Sequence, residues 1–245
     1  MLHYVKEYLD ATGITFSKWM VEVGAYHWEE GSRSKEFIDD GWNVLLVEPH
    51  PHLYIELSKK YSGNPNVTLL EYAVSDKSGM GTLFEGANGP TDGCHTMFPM
   101  KKRYGIEGIK EIKVVTKTLT EIFDKLNIPK DLAFLSIDTE GMDLEVLLGL
   151  DLETYKPRLV LSENTSFNSH LEALREKLTH PQSRGCATHR LRPDWQKKSI
   201  KGSLDSDVKN QRKHRLLVSN NYVSVGGGIE GRPETYIDSV YVIKK

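Results

Sequence analysis

Two apolar runs in the middle of this chain each stop abruptly at a carboxylate. Leu132 to Ile137 is followed by Asp138, and Leu159 to Leu161 is followed one residue later by Glu163. The pattern between them is helical, with an apolar face formed by Leu144, Leu147 and Leu148. Strand, helix, strand is the unit of a parallel sheet, whose ligands bind outside the carboxyl ends of the strands. We therefore predict that Asp138, Glu140 and Glu163 point at one shared site.

The first part of the chain repeats this unit. Val21 to Ala25 predicts a short strand that ends in a turn at Gly24, and Asn43 to Val47 predicts a second strand closed by Glu48. A glycine turn lets the backbone approach a ligand, and a carboxylate at the end of the next strand can accept both hydroxyls of a ribose. This arrangement is typical of a nucleotide site. The alternative for Glu48 is a capping role, because carboxylates favour helix N-termini.

The other segments complete an alternation of strands and helices. Further strands are predicted over Val67–Val74, Gly79–Phe84, Ile112–Thr118, Arg215–Val218 and Ser239–Ile243, and short helices over Leu119–Leu126 and His170–Leu178. Helices that alternate with strands cover both faces of a parallel sheet, whereas two successive strands can pair directly. The predicted fold is therefore α/β, a Rossmann-like, doubly wound, mostly parallel sheet with a C-terminal antiparallel strand pair.

Composition places the chain among globular proteins. It has 245 residues and two cysteines, Cys94 and Cys186, and no apolar run approaches the ~20 residues of a membrane span. The N-terminus lacks the apolar core of a signal peptide, and so few cysteines suit a reducing compartment. We expect one domain over residues 1–245, located in the cytoplasm and without a membrane partner.

Positive charge is concentrated near the C-terminus. The segment from Arg184 to Arg215 contains ten Lys and Arg and three Asp, a local charge of +7 in a chain of net charge −2. It is poor in apolar residues, and we interpret it as an insertion at about 180–215. One interpretation is a solvated loop, because long irregular loops are either functional or disordered. The other is a lid or arm that attracts an anionic substrate.

Four blocks of the sequence form a combined pattern. They are Glu22–Ala25, Gly41–Pro49, Ala73–Asp76, and a long block made of Ser136–Gly141, Leu144–Gly149 and Pro157–Glu163. With these blocks the chain resembles the FkbM-type methyltransferases, a branch of the class I enzymes that use S-adenosyl-L-methionine. The resemblance implies the class I methyltransferase fold and that cofactor. The chain departs from the family pattern at Tyr26, His27 and Trp28, where a glycine is usual, and its next glycine is Gly31. We therefore expect an altered loop at the amino-acid end of the cofactor.

The resemblance also implies roles for residues at the strand ends. Gly24 would approach the methionine part of the cofactor, Glu22 would orient that turn, and Ser32 would bind the carboxylate with help from backbone amides. Glu48 would accept the ribose hydroxyls. The full set of implied cofactor-binding residues is Glu22, Gly24, Ala25, Tyr26, Ser32, Glu48, Pro49, Ala73, Val74, Ser75 and Asp138. Ser32 has an alternative reading, because serine is an ordinary residue at helix starts.

Methyl transfer requires chiefly that the acceptor is positioned and that its proton is accepted. We expect Asp138 and Glu140 to be the catalytic residues, because they follow a strand at the ligand side of the sheet. Asp138, Glu163 and Asn164 also offer three hard oxygen ligands, which suits Mg²⁺, and that ion would lower the pKa of an acceptor hydroxyl.

The sequence thus predicts a methyltransferase dependent on S-adenosyl-L-methionine that methylates a hydroxyl of a small molecule or glycan, with an anionic acceptor as one possibility. An alternative is a nucleic-acid methyltransferase that uses residues 184–215 for phosphate contacts. The net acidic charge and the single aromatic residue of that segment, Trp195, make nucleic acid an unlikely partner. A nicotinamide-dependent oxidoreductase is another alternative, but the chain lacks G-x-G-x-x-G. A non-catalytic binding module is a third class, and the oligomeric state is unspecified.

Overall fold

The computed structural model describes residues 1–86, 88–91, 93–97, 109–163, 209–227 and 238–244. The helices are α1 (Leu2–Thr12), α2 (Lys35–Asp39), α3 (Pro51–Tyr61), α4 (Leu119–Leu126), α5 (Asp143–Leu148) and α6 (209–219). The strands are β1 (Ser17–Val23), β2 (Asn43–Val47), β3 (Val67–Leu70), β4 (Ala73–Val74), β5 (Gly79–Phe84), β6 (Glu111–Lys117), β7 (Leu132–Ile137), β8 (Leu159–Glu163), β9 (Tyr222–Gly227) and β10 (Asp238–Ile243).

Seven of the described strands form one sheet in the order β3-β2-β1-β7-β8-β10-β9. The first five run parallel, and β10 pairs antiparallel with both β8 and β9. The predicted α/β fold with a mostly parallel sheet and a C-terminal antiparallel pair is confirmed. Strand order reverses between β1 and β7, because the chain first builds outward through β2 and later returns to the other side of β1. Ligands of open α/β sheets bind at such a reversal, outside the carboxyl ends of the strands.

Helices cover both faces of the sheet, and β2 shows how the sequence achieves this. Val44 and Leu46 pack into a core shared with α1, α2 and α3, whereas Leu45 and Val47 pack into a core shared with α4, α5 and α6. All four side chains are fully buried. A parallel strand between two helical layers reads as a continuous apolar run because both of its faces are covered.

The prediction of one strand over Val67–Val74 is wrong. The chain leaves the edge of the main sheet after β3, and β4 instead pairs with β6 in a second sheet of order β4-β6-β5. The exposed Glu71 and the half-buried Tyr72 separate the two strands, and the hydrogen-bonding partner changes between them. The small sheet lies in the connection from β3 to β7, which places it near the carboxyl ends of the main sheet.

Two further predictions in the second half fail. Arg215–Val218 is not a strand but part of α6, where Leu217 is buried, and the strand that pairs with β10 is β9. Periodicity alone does not distinguish a short apolar run in a strand from one in a helix. Leu148 of α5 is 44% exposed, unlike the buried Leu144 and Leu147 of the same helix. The predicted helix His170–Leu178 and most of the insertion at 180–215 lie outside the described residues.

Candidate functional site

The turn after β1 brings the ends of β1 and β7 into close contact. Gly24 has a φ of +82°, and a Cβ at this position would lie 1.9 Å from the carbonyl oxygen of Asp138. The Asp138 backbone N–H in turn donates to the Val23 carbonyl at 3.0 Å. A side chain at residue 24 would therefore both require a disfavoured φ and overlap β7. Glycine is needed here to join the two central strands, whatever ligand lies beyond them.

Glu48, the last acid of the β2 unit, is buried and held by the backbone. Its Oε2 accepts a hydrogen bond from the Tyr26 N–H at 2.9 Å, and its Oε1 accepts one from the His50 N–H at 2.8 Å. Burial raises the pKa of Glu48 to about 7, with a smaller contribution from the nearby charge of Glu22. The capping alternative is not what the geometry shows at α3, because the cap is His50, whose ring accepts from the His52 N–H.

Glu22 and Arg33 form a second polar unit across β1 and β7. Glu22 Oε1 accepts from the Arg33 backbone N–H at 3.0 Å, while its buried Oε2 has no hydrogen-bond partner within the part of the chain that the structure describes. Burial raises the pKa of Glu22 to about 7. The Arg33 guanidinium reaches β7, with Nη1 3.4 Å from Ser136 Oγ and Nη2 3.0 Å from Asp138 Oδ2. Arg33 was not predicted as a site residue from the sequence, since only the fold brings its loop to the end of β7.

The predicted convergence of acids at the ends of β7 and β8 is present in the structure. Carboxylate oxygens of Asp138, Glu140 and Glu163 all lie within 4.8 Å of one another. Glu140 has a φ of +53°, unusual for a residue with a side chain, and Thr96 Oγ1 donates to its backbone carbonyl at 2.8 Å. Strained backbone of this kind persists only where its surroundings hold it. Asn164, the other predicted metal ligand, lies outside the described residues.

Asp143 connects the acidic loop to the next strand. Its Oδ1 accepts from the backbone N–H and the hydroxyl of Thr139, and its Oδ2 accepts from Ser162 Oγ of β8 at 2.9 Å. Asp143 is 3% exposed. A carboxylate in the first turn of a helix agrees with the interaction expected at a helix N-terminus. Its contacts also hold the loop that carries Asp138 and Glu140 against β8.

Two lysines of the basic segment take part in the same region. Lys213 of α6 is buried and donates to Ser162 Oγ at 3.1 Å and to the Glu163 carbonyl. Lys209 donates to the Gly141 carbonyl at 3.1 Å and pairs with Glu145 at 2.6 Å. The end of the basic segment is thus packed against the main sheet, so these two charges are structural and not part of a solvated loop.

An open cleft of about 540 Å³ lies over the ends of β1, β2 and β7. Among its lining residues are eight that the sequence analysis named, namely Gly24, Tyr26, Glu48, Pro49, Ala73, Val74, Asp138 and Glu140. The cleft therefore unites the predicted cofactor side with the predicted acceptor side.

Four other predicted cofactor residues do not line the cleft. Glu22 and Ala25 are buried beside it, and Ser75 has its hydroxyl 3.2 Å from Asp76. Ser32 Oγ accepts from the Lys35 N–H at 3.2 Å, as a residue at a helix start does. The roles predicted for these residues would therefore be indirect.

One wall of the cleft comes from the small sheet and its loop. Leu83, Gly93, His95 and Met97 line it, and none of them was predicted from the sequence as a site residue. The His95 ring stacks on the ring of His50, with centroids 4.2 Å apart. A long Gly- and Pro-containing loop in the connection to β7 was the available signal, because such loops are often functional.

Burial disfavours the charged form of His50. It lowers the pKa of the imidazole, although the hydrogen bond to Glu85 opposes the shift. Because Nδ1 accepts from the His52 N–H, we infer that Nε2 carries the proton and donates to Glu85 Oε2, 3.0 Å away. Lys110 also donates to this Glu85 oxygen at 2.9 Å. These contacts attach the wall to the start of α3, directly beside Glu48.

Comparison with known proteins gives a family match over most of the chain. Residues 22–189 match the model described as methyltransferase FkbM domain. No curated protein sequence matches the chain significantly. In the described part of the chain, no helix combines the length and the apolar character needed to cross a bilayer.

Several solved structures are similar to this chain. One is a methyltransferase FkbM from Methylobacillus flagellatus KT, with 13% identity and a TM-score of 0.47 over 96% of this chain and 46% of that one. A putative O-methyltransferase from Klebsiella pneumoniae has 10% identity and a TM-score of 0.46, covering 99% and 79%. An O-methyltransferase from Bacillus cereus in complex with SAH has 11% identity and a TM-score of 0.43, covering 98% and 79%. This chain spans less than half the length of the first of these proteins.

Proposed function

The chain belongs to the methyltransferase FkbM family, and from that premise we propose that it transfers a methyl group from S-adenosyl-L-methionine to a hydroxyl of a small molecule or glycan. We also propose that residues 1–245 act as one domain. Family membership favours methyl transfer over the nicotinamide-dependent and non-catalytic alternatives. Within the fold, the cleft at the reversal between β1 and β7 is where a ligand of such a sheet is expected.

The observation that carries the proposal is the buried carboxylate of Glu48. It closes β2, lines the cleft, and is fixed by the N–H groups of Tyr26 and His50. A carboxylate oxygen has more than one acceptor site, so each oxygen can still accept a hydroxyl of a ribose. Ala73 and Val74 line the same cleft and offer apolar contact to an adenine. The residues present therefore fit the adenosine half of this cofactor.

The cofactor supplies a methyl group on an electrophilic sulfonium, and the protein has to place a nucleophile in line with it. Asp138 and Glu140 line the cleft beyond Gly24 and Glu48, where an acceptor hydroxyl would be held. We propose that a carboxylate of this pair orients the hydroxyl and accepts its proton. Glu163 lies close enough to share that environment.

A binding experiment tests the proposal. Glu48→Ala should weaken S-adenosylhomocysteine by roughly 2–4 kcal/mol, because two hydrogen bonds to a charged acceptor are lost. The matched control is Glu71→Ala, which removes an exposed carboxylate just after β3 and should leave affinity unchanged. Isothermal titration calorimetry measures both. Equal affinity of Glu48→Ala and the parent would refute the ribose role, and preference of the parent for a nicotinamide cofactor would refute the proposed chemistry.

We further propose that Mg²⁺ can bind at the acidic cluster. Oxygens of Asp138, Glu140 and Glu163 within 4.8 Å of one another match the hard-ligand preference of this ion, with Asn164 as the fourth candidate ligand. The ion would lower the pKa of an acceptor hydroxyl. Turnover should then fall in EDTA and return with added Mg²⁺. Full turnover in chelator would show that the carboxylates act without metal.

For the acceptor, we propose an anionic small molecule or glycan recruited by the basic segment. The charge of +7 between Arg184 and Arg215 is unusual in an acidic chain. Neutralising Lys197, Lys198 and Lys201 together should raise the acceptor KM, leave cofactor affinity unchanged and flatten the salt dependence, since screening acts over ~8 Å at physiological ionic strength. A triple variant identical to the parent at every salt concentration would contradict this. Methylation of an RNA probe by the parent protein would favour the nucleic-acid alternative instead.

A further inference from the structure

The backbone of the turn after β1 has few donors to offer an anion. The N–H groups of Gly24 and Ala25 both donate to the Val47 carbonyl, and that of Tyr26 donates to Glu48. Further along, the N–H groups of Glu29, Glu30, Arg33 and Lys35 donate to side chains within the same loop or to Glu22. Glycine-rich turns bind anions through such groups. Because these seven N–H groups already have acceptors, a cationic side chain is the stronger candidate to meet an anionic ligand group at the turn.

A cationic side chain near the turn is also needed because the described lining of the cleft is acidic. Glu48, Asp138 and Glu140 line it, and no Lys or Arg is among the lining residues that the structure describes. The amino-acid end of S-adenosyl-L-methionine carries both an ammonium and a carboxylate. The acidic side chains of the lining can bind the ammonium. Among the described residues, the cation that meets the carboxylate therefore has to lie next to the lining of the cleft and not in it.

Arg33 is in the right place to be that cation. Its side chain is 16% exposed, and its Nη2 lies 3.0 Å from an oxygen of Asp138, which is 36% exposed and lines the cleft. Its backbone is fixed by Glu22, and Glu22 and Ser136 are register partners on β1 and β7. The guanidinium is therefore held at the seam of the two central strands, next to the turn at Gly24.

We propose that Arg33 and Asp138 together bind the amino-acid end of the cofactor, the guanidinium taking the α-carboxylate and the carboxylate of Asp138 taking the α-ammonium. An ion pair of this kind is the charge complement of a zwitterion, and the planar guanidinium suits a carboxylate. The assignment rests on the proposed function and deepens it. It replaces the role predicted for Ser32, whose hydroxyl serves the start of α2.

The proposal also divides the work among the acids. Asp138, paired with Arg33, serves the cofactor. Glu140 lies two residues further along the same loop. Thr96, from the wall of the cleft, donates a hydrogen bond to the Glu140 backbone carbonyl. Glu140 is then the carboxylate left to orient the acceptor hydroxyl.

Two ligands distinguish this role from a general effect on the cleft. S-adenosylhomocysteine has the amino-acid end, whereas 5′-methylthioadenosine has the same adenosine and sulfur but lacks it. Calorimetry with both ligands would compare the parent with Arg33→Met, Arg33→Lys and the control Lys35→Met. Lys35 is an exposed cation of the same segment that pairs with Asp39 and does not face the cleft.

Arg33→Met should weaken S-adenosylhomocysteine roughly 10- to 100-fold, the usual worth of hydrogen bonds to charged groups, and change methylthioadenosine by less than about twofold. The affinity of Arg33→Lys for S-adenosylhomocysteine should lie between those of the parent and Arg33→Met, because lysine keeps the charge but lacks the planar guanidinium. Lys35→Met should leave the affinity for both ligands unchanged. A variant that binds methylthioadenosine as the parent does is also shown to be folded. If Arg33→Met does not fold, Arg33→Lys provides the test.

Equal weakening of both ligands in Arg33→Met would overturn the inference, because Arg33 would then only maintain the cleft. Unchanged affinity for S-adenosylhomocysteine would overturn it too. In both cases the proposed function stands if Glu48→Ala still weakens both ligands. A parent protein that binds neither ligand would instead refute the proposed function, and the inference with it.

Discussion

The two sides of the cleft are held together in different ways. On the β2 side, Glu48 accepts from backbone N–H groups 2 and 22 residues away, and Glu22 accepts from one 11 residues away. On the β7 side, the loop from Asp138 to Asp143 is fixed by side chains from remote elements: Thr96, Ser162 and Lys209 lie 44, 19 and 68 residues from their partners.

The β2 side of the cleft is therefore prearranged, whereas the β7 side depends on the assembly of remote elements. Backbone donors near the acid in sequence form as soon as the βαβ unit forms. The β7 side is complete only when the small sheet and α6 have packed against it. A change far from the cleft, in α6 or in the wall, should therefore affect the acidic loop more than the carboxylate of Glu48.

The largest expected effect is at the joint between the two sides. Gly24→Ala should destabilise the protein by roughly 3 kcal/mol or more, because it combines a disfavoured φ with overlap against the Asp138 carbonyl. The control is Gly41→Ala, whose φ of +73° is similar but whose Cβ would meet nothing within 4 Å. Gly41→Ala should lower the free energy of unfolding by about 1 kcal/mol, because only the backbone strain contributes. Urea unfolding measures both, and equal costs would show that the β1–β7 contact is not tight.

The second prediction compares a carboxylate that joins remote elements with one that contacts only its sequence neighbours. Asp143→Ala leaves Ser162 and Thr139 without their shared acceptor and should cost about 3 kcal/mol, as the loss of a buried charged partner does. Asp151→Ala is the control, since that exposed acid caps only Glu153 and Thr154 and its loss should cost about 1 kcal/mol. Hydrogen exchange should also increase at residues 138–141 in Asp143→Ala alone. Protection there equal to the parent would mean that Asp143 does not hold the loop.

A smaller effect concerns the β2 side and depends on pH. Burial raises the pKa of both Glu22 and Glu48 from 4.5 to about 7, so the folded state binds protons more tightly than the unfolded state. These groups therefore favour the folded state most below about pH 4.5, and that contribution is lost as pH rises through 7. Without ligand, each of the two groups should lower the unfolding free energy by of order 2 kcal/mol between pH 5 and 8.

Glu22→Gln sharpens this prediction. Glutamine can still accept the Arg33 N–H but carries no buried charge, and its neutrality removes one cause of the raised pKa of Glu48. The variant should be more stable than the parent at pH 8 and show a flatter pH dependence. Thermal unfolding across this pH range measures both. A variant that is less stable at pH 8 and keeps the full slope would contradict the desolvation argument.

Much of the architecture could be predicted because its signals are local. The bounds of β2, β7 and α4 agree with the apolar runs and periodicity that predicted them. The errors lie where local pattern does not specify the partner. Val67–Val74 is rich in strand-forming residues on both sides of Glu71, yet its two halves belong to different sheets. The leucines of α6 suit a strand or a helix equally until Lys213 is placed against β8.

The site divides in the same way. The strand-end carboxylates Glu48, Asp138 and Glu140 were predictable, because a charge that ends an apolar run marks the ligand side of a parallel sheet. Arg33 carries no such mark. Its guanidinium meets Asp138 across 105 positions of sequence only because β1 and β7 are neighbours.

The main sheet, the edge at which its ligands bind and the acids at that edge could thus be predicted, since apolar runs and their periodicity are local properties of each segment. Only the folded structure shows which of these acids are desolvated enough to have a raised pKa and which cations reach them. The physical reason is that these properties depend on distance and solvent exclusion. Both arise between segments remote in sequence, after the sheet has assembled.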